Sequence, residues 1–266
     1  MILMTLLKQS FNVVADSYEK YRPTYPKELF EEIIRYANLD VDDTLLEIGS
    51  GTGKATEGFV KQGISTITCI EYGHNLAQLT QKKFASYPAI EVIHSSFEDW
   101  NHPEKDKYNL VFSGTAFHFI PHDNGYQKAA SLLKEDGVLA LFWFVHIPSH
   151  ESVYKSIRKA YGSYAPHLED SHAPTLAEFI EKQSKQTLES GAFQDLRTHT
   201  YTWNQTYTAE EYVGLLDTHS GHQLLPSEQK ESLYQEIINV IVTQNSGVIT
   251  KTHAVASFLA RKKNYY

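Results

Sequence analysis

The sequence predicts an α/β protein, a mostly parallel sheet with helices on both faces. Three observations lead there. Short apolar and β-branched runs alternate with amphipathic helical stretches from Thr44 to His146. A glycine loop follows the first of these runs and opens a helix. An acid, Glu71, ends the next run about twenty residues further on. Runs of this kind, too short for buried helices, pair as parallel strands when helices connect them.

In chain order, Ser10–Tyr21 carries Phe11, Val14, Tyr18 and Tyr21 at roughly helical spacing, so a helix is expected over 10–22. Pro23 and Pro26 in YRPTYP break it, and Pro26 suits the first turn of the next helix, KELFEEIIRYA. TLLEIG is the first strand and GSGTG its loop, with a helix to about Gly63. ISTITCIE, IEVIHSS, YNLVFSG and VLALFWFVH read as further strands. HNLAQLTQKKFASY and DNGYQKAASLLKEDG read as helices, the second closed by its glycine. Past Ile147 the alternation stops. Helical insertions are expected over about 148–190, broken at Pro166 and Pro174, and over about 209–243. LRTHTYTWNQTYT and GVITKTHAVASFLARKK supply two last strands. No linker or repeat interrupts the chain, so one domain over 1–266 is expected, its ligand-binding half at about 40–146.

Composition narrows the function. With 266 residues, 41% hydrophobic and 21% charged, the chain can bury a full core. A formal charge of -8 gives no general attraction to a phosphate backbone, so nucleic acid is not expected as a partner. No run reaches the apolar length of a membrane span, so no membrane partner is expected. The first residues lack a basic region and a small-residue cleavage site, which makes the cytoplasm the expected location. The single cysteine, Cys69, lies in the apolar run ITCI and reads as a small buried hydrophobe. It leaves no disulfide and no multi-cysteine metal site. His118 and His122 stand four apart with Pro121 between them, a poor metal pair, and no metal is expected.

The most informative segment is Glu47-Ile48-Gly49-Ser50-Gly51-Thr52-Gly53. Glycines permit a sharp turn and close approach of a ligand, and the new helix presents unpaired N–H groups. Strand carboxyl ends are where open α/β sheets bind ligands, and an acid at Glu71 can accept hydrogen bonds from ribose hydroxyls. A phosphate-binding P-loop would need Ser or Thr after its lysine, but Ala55 follows Lys54. Dinucleotide sites use G-x-G-x-x-G, whereas the spacing here is G-x-G-x-G.

EIGSGTG resembles the first motif of class I S-adenosylmethionine-dependent methyltransferases. The resemblance implies a Rossmann-like sheet with an antiparallel last strand and helical lid insertions, and S-adenosyl-L-methionine as cofactor. It places Glu47, Gly49, Ser50, Gly51 and Gly53 around the methionyl part and Glu71 with Tyr72 at the ribose. Ser96 and Phe97 fall where the family contacts adenine, although an aspartate is common at the position of Ser96. LVFSGTAFHFI is similar to the fourth-strand motif, which brings Gly114 and Thr115 beside the methyl group. YRPTYP after an aromatic helix resembles the small-molecule branch that includes trans-aconitate methyltransferases, which makes the 10–22 helix a lid and Arg22 a partner of the methionyl carboxylate.

Methyl transfer from a sulfonium needs alignment and exclusion of water rather than a covalent nucleophile. A hydroxyl acceptor of high pKa would also need a base, while a carboxylate would want cationic partners. His118 and His146 follow the fourth and fifth strands at the ligand edge and are the candidate catalytic residues, as base or hydrogen-bond donor. Tyr161, Tyr164, His167, His172, Tyr212, His219 and His222 in the insertions are candidates for the acceptor pocket. The expected reaction is methylation of a small organic acceptor, at oxygen. The alternatives are an NAD(P)-dependent oxidoreductase and a non-catalytic S-adenosylmethionine-binding protein.

Overall fold

The computed structural model describes residues 15–101, 107–170 and 173–264. Seven strands form one sheet in the order β3-β2-β1-β4-β5-β7-β6. The strands are β1 (Leu45–Ile48), β2 (Ile67–Glu71), β3 (Ile90–His94), β4 (Tyr108–Gly114), β5 (Leu133–Val145), β6 (Phe193–Thr208) and β7 (Val248–Lys262). β1 pairs in parallel with β2 and β4, β2 with β3, and β4 with β5. β7 is antiparallel to its neighbours. The order reverses between β1 and β4, the place where a crevice opens at the carboxyl ends of such a sheet.

Helices α1 (Ala15–Tyr21), α2 (Lys27–Ala37), α3 (Lys54–Val60), α4 (His74–Lys83) and α5 (His122–Leu132) belong to the first half of the chain. α6 (Ser152–Tyr164), α7 (Leu176–Glu189), α8 (Ala209–Asp217), the single turn α9 (Ser220–Gln223) and α10 (Ser227–Gln244) follow. Residues 10–14 of the expected first helix, His172, and the side chain of His122 in the His118/His122 pair lie outside what the structure describes.

The chain divides into two compact units. The first comprises residues 1–23, 145–176 and 202–254, the second 24–144, 177–201 and 255–266. In the second unit, every residue of β1 and β2 is buried, as is Val138–Trp143 of β5. Strands covered on both faces lose the polar alternation of half-exposed ones, which is why they read as unbroken apolar runs. Leu29, Phe30 and Ile33 of α2 and Phe59 of α3 are buried with them, Phe30 edge-on to Phe59 at 5.1 Å. The first unit has its own apolar cluster, in which Val153 and Ile157 of α6 join Leu215 of α8 and Leu233, Ile237 and Ile241 of α10. Thr208 caps α8 in a reciprocal box: its hydroxyl accepts the Glu211 N–H at 3.2 Å, and the Glu211 carboxylate accepts the Thr208 N–H at 2.9 Å.

One boundary differs from the sequence reading. The helix expected to run to Gly137 stops at Leu132, and β5 begins at Leu133. Leu133 pairs with Tyr108 but Val138 already pairs with Leu110, so Lys134–Gly137 form an irregular excursion, with Asp136 at a φ of 60°. Leu132 and Leu133 continue the apolar spacing of the helix, but Leu133 is wholly buried as the first rung of the strand ladder.

Candidate active site

The glycine loop leaves β1 while still tied to the sheet. The Gly49 N–H donates to the Ile70 carbonyl at 2.8 Å, and the Gly53 N–H to the Ser50 carbonyl at 2.8 Å. The three glycines serve different ends. A Cβ on Gly49 would sit 2.4 Å from the Ala116 Cβ, and one on Gly53 would sit 2.5 Å from the Phe84 ring. Those two glycines allow close packing. Gly51 has a φ of +58° and nothing within 4 Å of where its Cβ would stand, so its open side faces free space.

Glu71, at the end of β2, holds this loop. Its Oε2 accepts the Gly51 N–H at 2.7 Å and its Oε1 the Gly73 N–H at 2.6 Å. Burial raises its pKa, and the N–H groups of Gly73 and Gly51 oppose that rise. With the Tyr72 N–H donating to it as well, the carboxylate sets the loop's shape and keeps acceptor capacity for one further donor. Ser50 is 5% exposed, and its Oγ is buried without a hydrogen-bond partner. A hydroxyl left so in a tight loop calls for a polar group from outside the chain.

Glu47 is turned inward. Its carboxyl accepts from the Thr56 hydroxyl and, at 3.8 Å, from the Cys69 thiol. Burial is the main cause that lifts its pKa to about 8, with the Glu71 charge adding to the rise. Its bonds join β1 to the first turn of α3. Cys69, fully buried, is the small interior residue that the sequence suggested.

Further along the same strand ends, Tyr72 is 38% exposed. The Ser96 hydroxyl donates to Asp99 Oδ2 at 2.7 Å and accepts the Asp99 N–H at 3.0 Å, forming a turn. Phe97 is buried beneath the ammonium of Lys128, which lies 4.9 Å from its ring centre. Gly114 ends β4 with no room for a side chain, since its Cβ would come 2.7 Å from the Tyr25 hydroxyl. Thr115 has a φ of +58°, a costly conformation for a β-branched residue. It is held there by three contacts: its N–H to the Phe142 carbonyl at 2.8 Å, its Oγ1 from the Phe144 N–H at 3.3 Å, and Oγ1 against the Tyr25 hydroxyl at 3.1 Å. Tyr25 was not singled out in the sequence. Its stacking on Phe144 at 4.9 Å joins residues distant in the chain, and only its place in YRPTYP hinted at a role.

His118 lies just after β4, its ring 4.0 Å from that of Phe119. Its Nδ1 accepts the indole N–H of Trp143 at 3.1 Å. Indole nitrogen only donates, so the neutral imidazole carries its proton on Nε2. Although the residue reaches solvent, burial of the ring pushes its pKa down to about 4. His118 is therefore a neutral N–H donor at physiological pH.

His146 and Arg22 fall in the first unit. His146 Nε2 meets Asp170 Oδ2 at 2.5 Å, and burial followed by the Lys251 charge lowers its pKa. Arg22 donates to the Thr218 carbonyl at 3.3 Å. Tyr161 and His222 meet at 3.1 Å, and His222 continues to Tyr234 at 3.1 Å and thence to Asp217. Tyr212 is buried in the apolar cluster, while Tyr164 is exposed.

Comparison with known proteins accords with this geometry. The family model of ribosomal RNA adenine dimethylases matches residues 25–135. Two uncharacterized methyltransferases of Schizosaccharomyces pombe are 22% and 23% identical over 90% and 96% of this chain, and over 89% and 96% of their own lengths. A probable S-adenosylmethionine-dependent methyltransferase of Saccharomyces cerevisiae is 26% identical over 72% of this chain and 67% of its own. An rRNA adenine N-6-methyltransferase of Escherichia coli is 31% identical over 85 residues, 32% of this chain and 34% of that protein. Among solved structures, a methyltransferase from Anaeromyxobacter dehalogenans superposes with a TM-score of 0.68 at 17% identity, covering 91% of this chain and 98% of that one. A Haemonchus contortus phosphoethanolamine N-methyltransferase holding S-adenosylhomocysteine gives 0.55 at 12% identity, over 95% and 58%.

These matches correct one expectation. Net charge argued against nucleic acid as a partner, but the matching family model and several relatives are named for rRNA adenine, so net charge does not rule a nucleic acid acceptor out. Net charge reports the average field of the whole surface, and an acceptor is met by a local one. No helix among the described residues is long and apolar enough to cross a membrane. The sheet order with its antiparallel β7 is that of the class I methyltransferase fold, and the chain is an S-adenosylmethionine-dependent methyltransferase.

Proposed function

We propose that the chain transfers a methyl group to an oxygen of a small organic acceptor, and that this oxygen is already ionised, as in a carboxylate. S-adenosylmethionine, when bound, supplies an electrophilic methyl on a sulfonium. The open side of Gly51, the unpartnered Ser50 hydroxyl and the remaining acceptor capacity of Glu71 fit a polar ligand of that shape. In this reading Gly49, Gly53 and Glu47 shape the loop, and Tyr72, Ser96, Phe97, Gly114 and Thr115 line the rest of the cofactor site.

The observation that carries the acceptor class is the bond from Trp143 to His118. It leaves His118 with an N–H to offer and no free lone pair to take a proton. An N–H donor orients an ionised oxygen, which needs no base, and serves a neutral hydroxyl poorly. The test is transfer of labelled methyl to panels of carboxylic acids, alcohols and amines. Turnover of acids, with a rate flat between about pH 6 and 8, is the expected result, since a base near its ordinary histidine pKa would instead titrate in that range. A rate that climbs through that range would overturn it.

A second reading is methylation of an adenine amine in RNA, favoured by the family model over residues 25–135. An adenine-containing RNA oligonucleotide in the same assay separates the two.

A further inference from the structure

Among the described residues, those other than glycine with a positive φ are Asn38, Thr115, Asp136, Asp195 and Ser246. Four of them are unbranched at Cβ. Thr115 is the β-branched one, for which this conformation is a genuine outlier. Such strain persists only where neighbours hold it, and it gathers at working sites.

The neighbours of Thr115 hold it in a specific way. In a regular parallel ladder, a residue whose N–H bonds a neighbouring carbonyl offers its own carbonyl to the N–H two residues further along that neighbour. The Thr115 N–H bonds the Phe142 carbonyl at 2.8 Å, so the next N–H is that of Phe144. It donates at 3.3 Å to Thr115 Oγ1. The side chain thus takes a rung that a backbone carbonyl fills elsewhere, and the chain leaves the sheet at once. Tyr25 closes the arrangement, with its hydroxyl 3.1 Å from the same Oγ1. The Tyr25 ring is fixed by Phe144, stacked at 4.9 Å, and by Phe142, edge-on at 4.8 Å.

Two parts of the site follow directly from this turn. Ala116, the next residue, packs its Cβ where a side chain on Gly49 of the glycine loop would begin. The single helical turn Phe117–Phe119 then carries His118, whose Nδ1 accepts the Trp143 indole N–H at 3.1 Å. All of these residues lie in the second unit.

We propose that Tyr25 is a positioning residue for methyl transfer: its hydroxyl locks the turn at Thr115, which seats Ala116 against the glycine loop and aims His118. The inference rests on reading that loop as the cofactor site, and it adds a residue from outside the loop and the strand ends.

The test is a double-mutant cycle of Tyr25→Phe and Thr115→Gly in the whole protein. Phenylalanine keeps the ring and loses only the hydroxyl. Glycine takes a positive φ unaided and has no hydroxyl to be held. Calorimetry reads S-adenosylhomocysteine affinity. NMR reads hydrogen exchange of the Trp143 indole proton, one of three indole signals, in the unliganded protein. Tyr25→Phe alone should weaken binding about threefold to tenfold, the worth of one hydrogen bond between neutral groups, and speed indole exchange by a similar factor. Added to Thr115→Gly, it should change neither quantity. A Tyr25→Phe protein with a lowered Tm but native affinity overturns the proposal, because the hydroxyl would then serve stability alone. Equal effects of Tyr25→Phe in both Thr115 backgrounds overturn it too, because the hydroxyl would then act without the turn. Tyr25→Phe is conservative, so unchanged indole exchange in that variant overturns the proposal even if Thr115→Gly folds poorly. A native protein that bound no S-adenosylhomocysteine would remove the cofactor reading and with it the role in methyl transfer, while the exchange cycle would still show whether Tyr25 locks the turn.

Discussion

Replacing Glu71 by glutamine tests whether one carboxylate sets the cofactor loop. In the native protein its two oxygens accept the N–H groups of Gly51 and Gly73 at 2.7 and 2.6 Å. Glutamine keeps one oxygen and turns an NH2 group toward the other N–H. Hydrogen bonds to a charged group contribute about 1.5–3 kcal/mol each, and a buried donor left facing a donor costs about 1–3 kcal/mol. Because burial already raises the Glu71 pKa, the lower end of both ranges applies. The loss is then about 2–4 kcal/mol, shared between loop shape and overall stability. At about 1.4 kcal/mol per factor of ten, half of it falling on the loop weakens S-adenosylhomocysteine binding about fivefold to thirtyfold. The remainder lowers Tm by several degrees. Calorimetry and a thermal melt read both quantities. A Glu71→Gln protein that bound and melted like the native one would refute the reasoning, because the carboxylate would then be doing neither job.

Three further predictions follow from the same geometry. Gly51→Val forces a β-branched residue into a positive φ and fills the open side of the loop, so S-adenosylhomocysteine binding should vanish in calorimetry while the far-UV circular dichroism stays nearly unchanged. Glu47 has a folded pKa of about 8, above its ordinary value, so the native state binds the extra proton, and this contribution is complete below the ordinary carboxylate pKa and lost as pH rises through about 8. Thermal melts should show native stability falling between about pH 5 and 8, and Glu47→Gln should flatten that fall. Thr208→Ala removes the capping hydroxyl of α8 and should cost about 1 kcal/mol in urea unfolding, with no effect on cofactor affinity.

The stretch from Leu45 to Gly114 was readable because β1, β2 and most of β4 are buried on both faces and its loop needs glycines in fixed order. β5 began earlier than its apolar pattern suggested, since Leu133 serves the strand ladder while looking like the end of a helix. Glu71 was found from its spacing, but not its bonds to Gly51 and Gly73, which depend on backbone direction rather than residue type. The same limit applied to His118. Its position showed in the sequence, but its tautomer is set by Trp143, 25 residues away, through a contact that leaves no local pattern. Tyr25 shows the limit most plainly. Its partners Thr115, Phe142 and Phe144 come together only when β4 and β5 pair. Nucleic acid was set aside on net charge, which averages over a surface that binding samples locally.

The way the chain threads its two units bears on how the protein can be dissected. Each unit is assembled from three separate stretches, and the backbone passes between them at 23–24, 144–145, 176–177, 201–202 and 254–255. No continuous fragment contains either unit alone. A protease cut between 165 and 175 would leave both halves of the chain contributing to both units, so the nicked protein should migrate as one species until denatured. Trimming from the N-terminus would strip the first unit before reaching the second, and trimming from the C-terminus would do the reverse. Deleting 145–176 would remove residues of the first unit alone, whereas deleting 202–254 would cut through both β6 and β7.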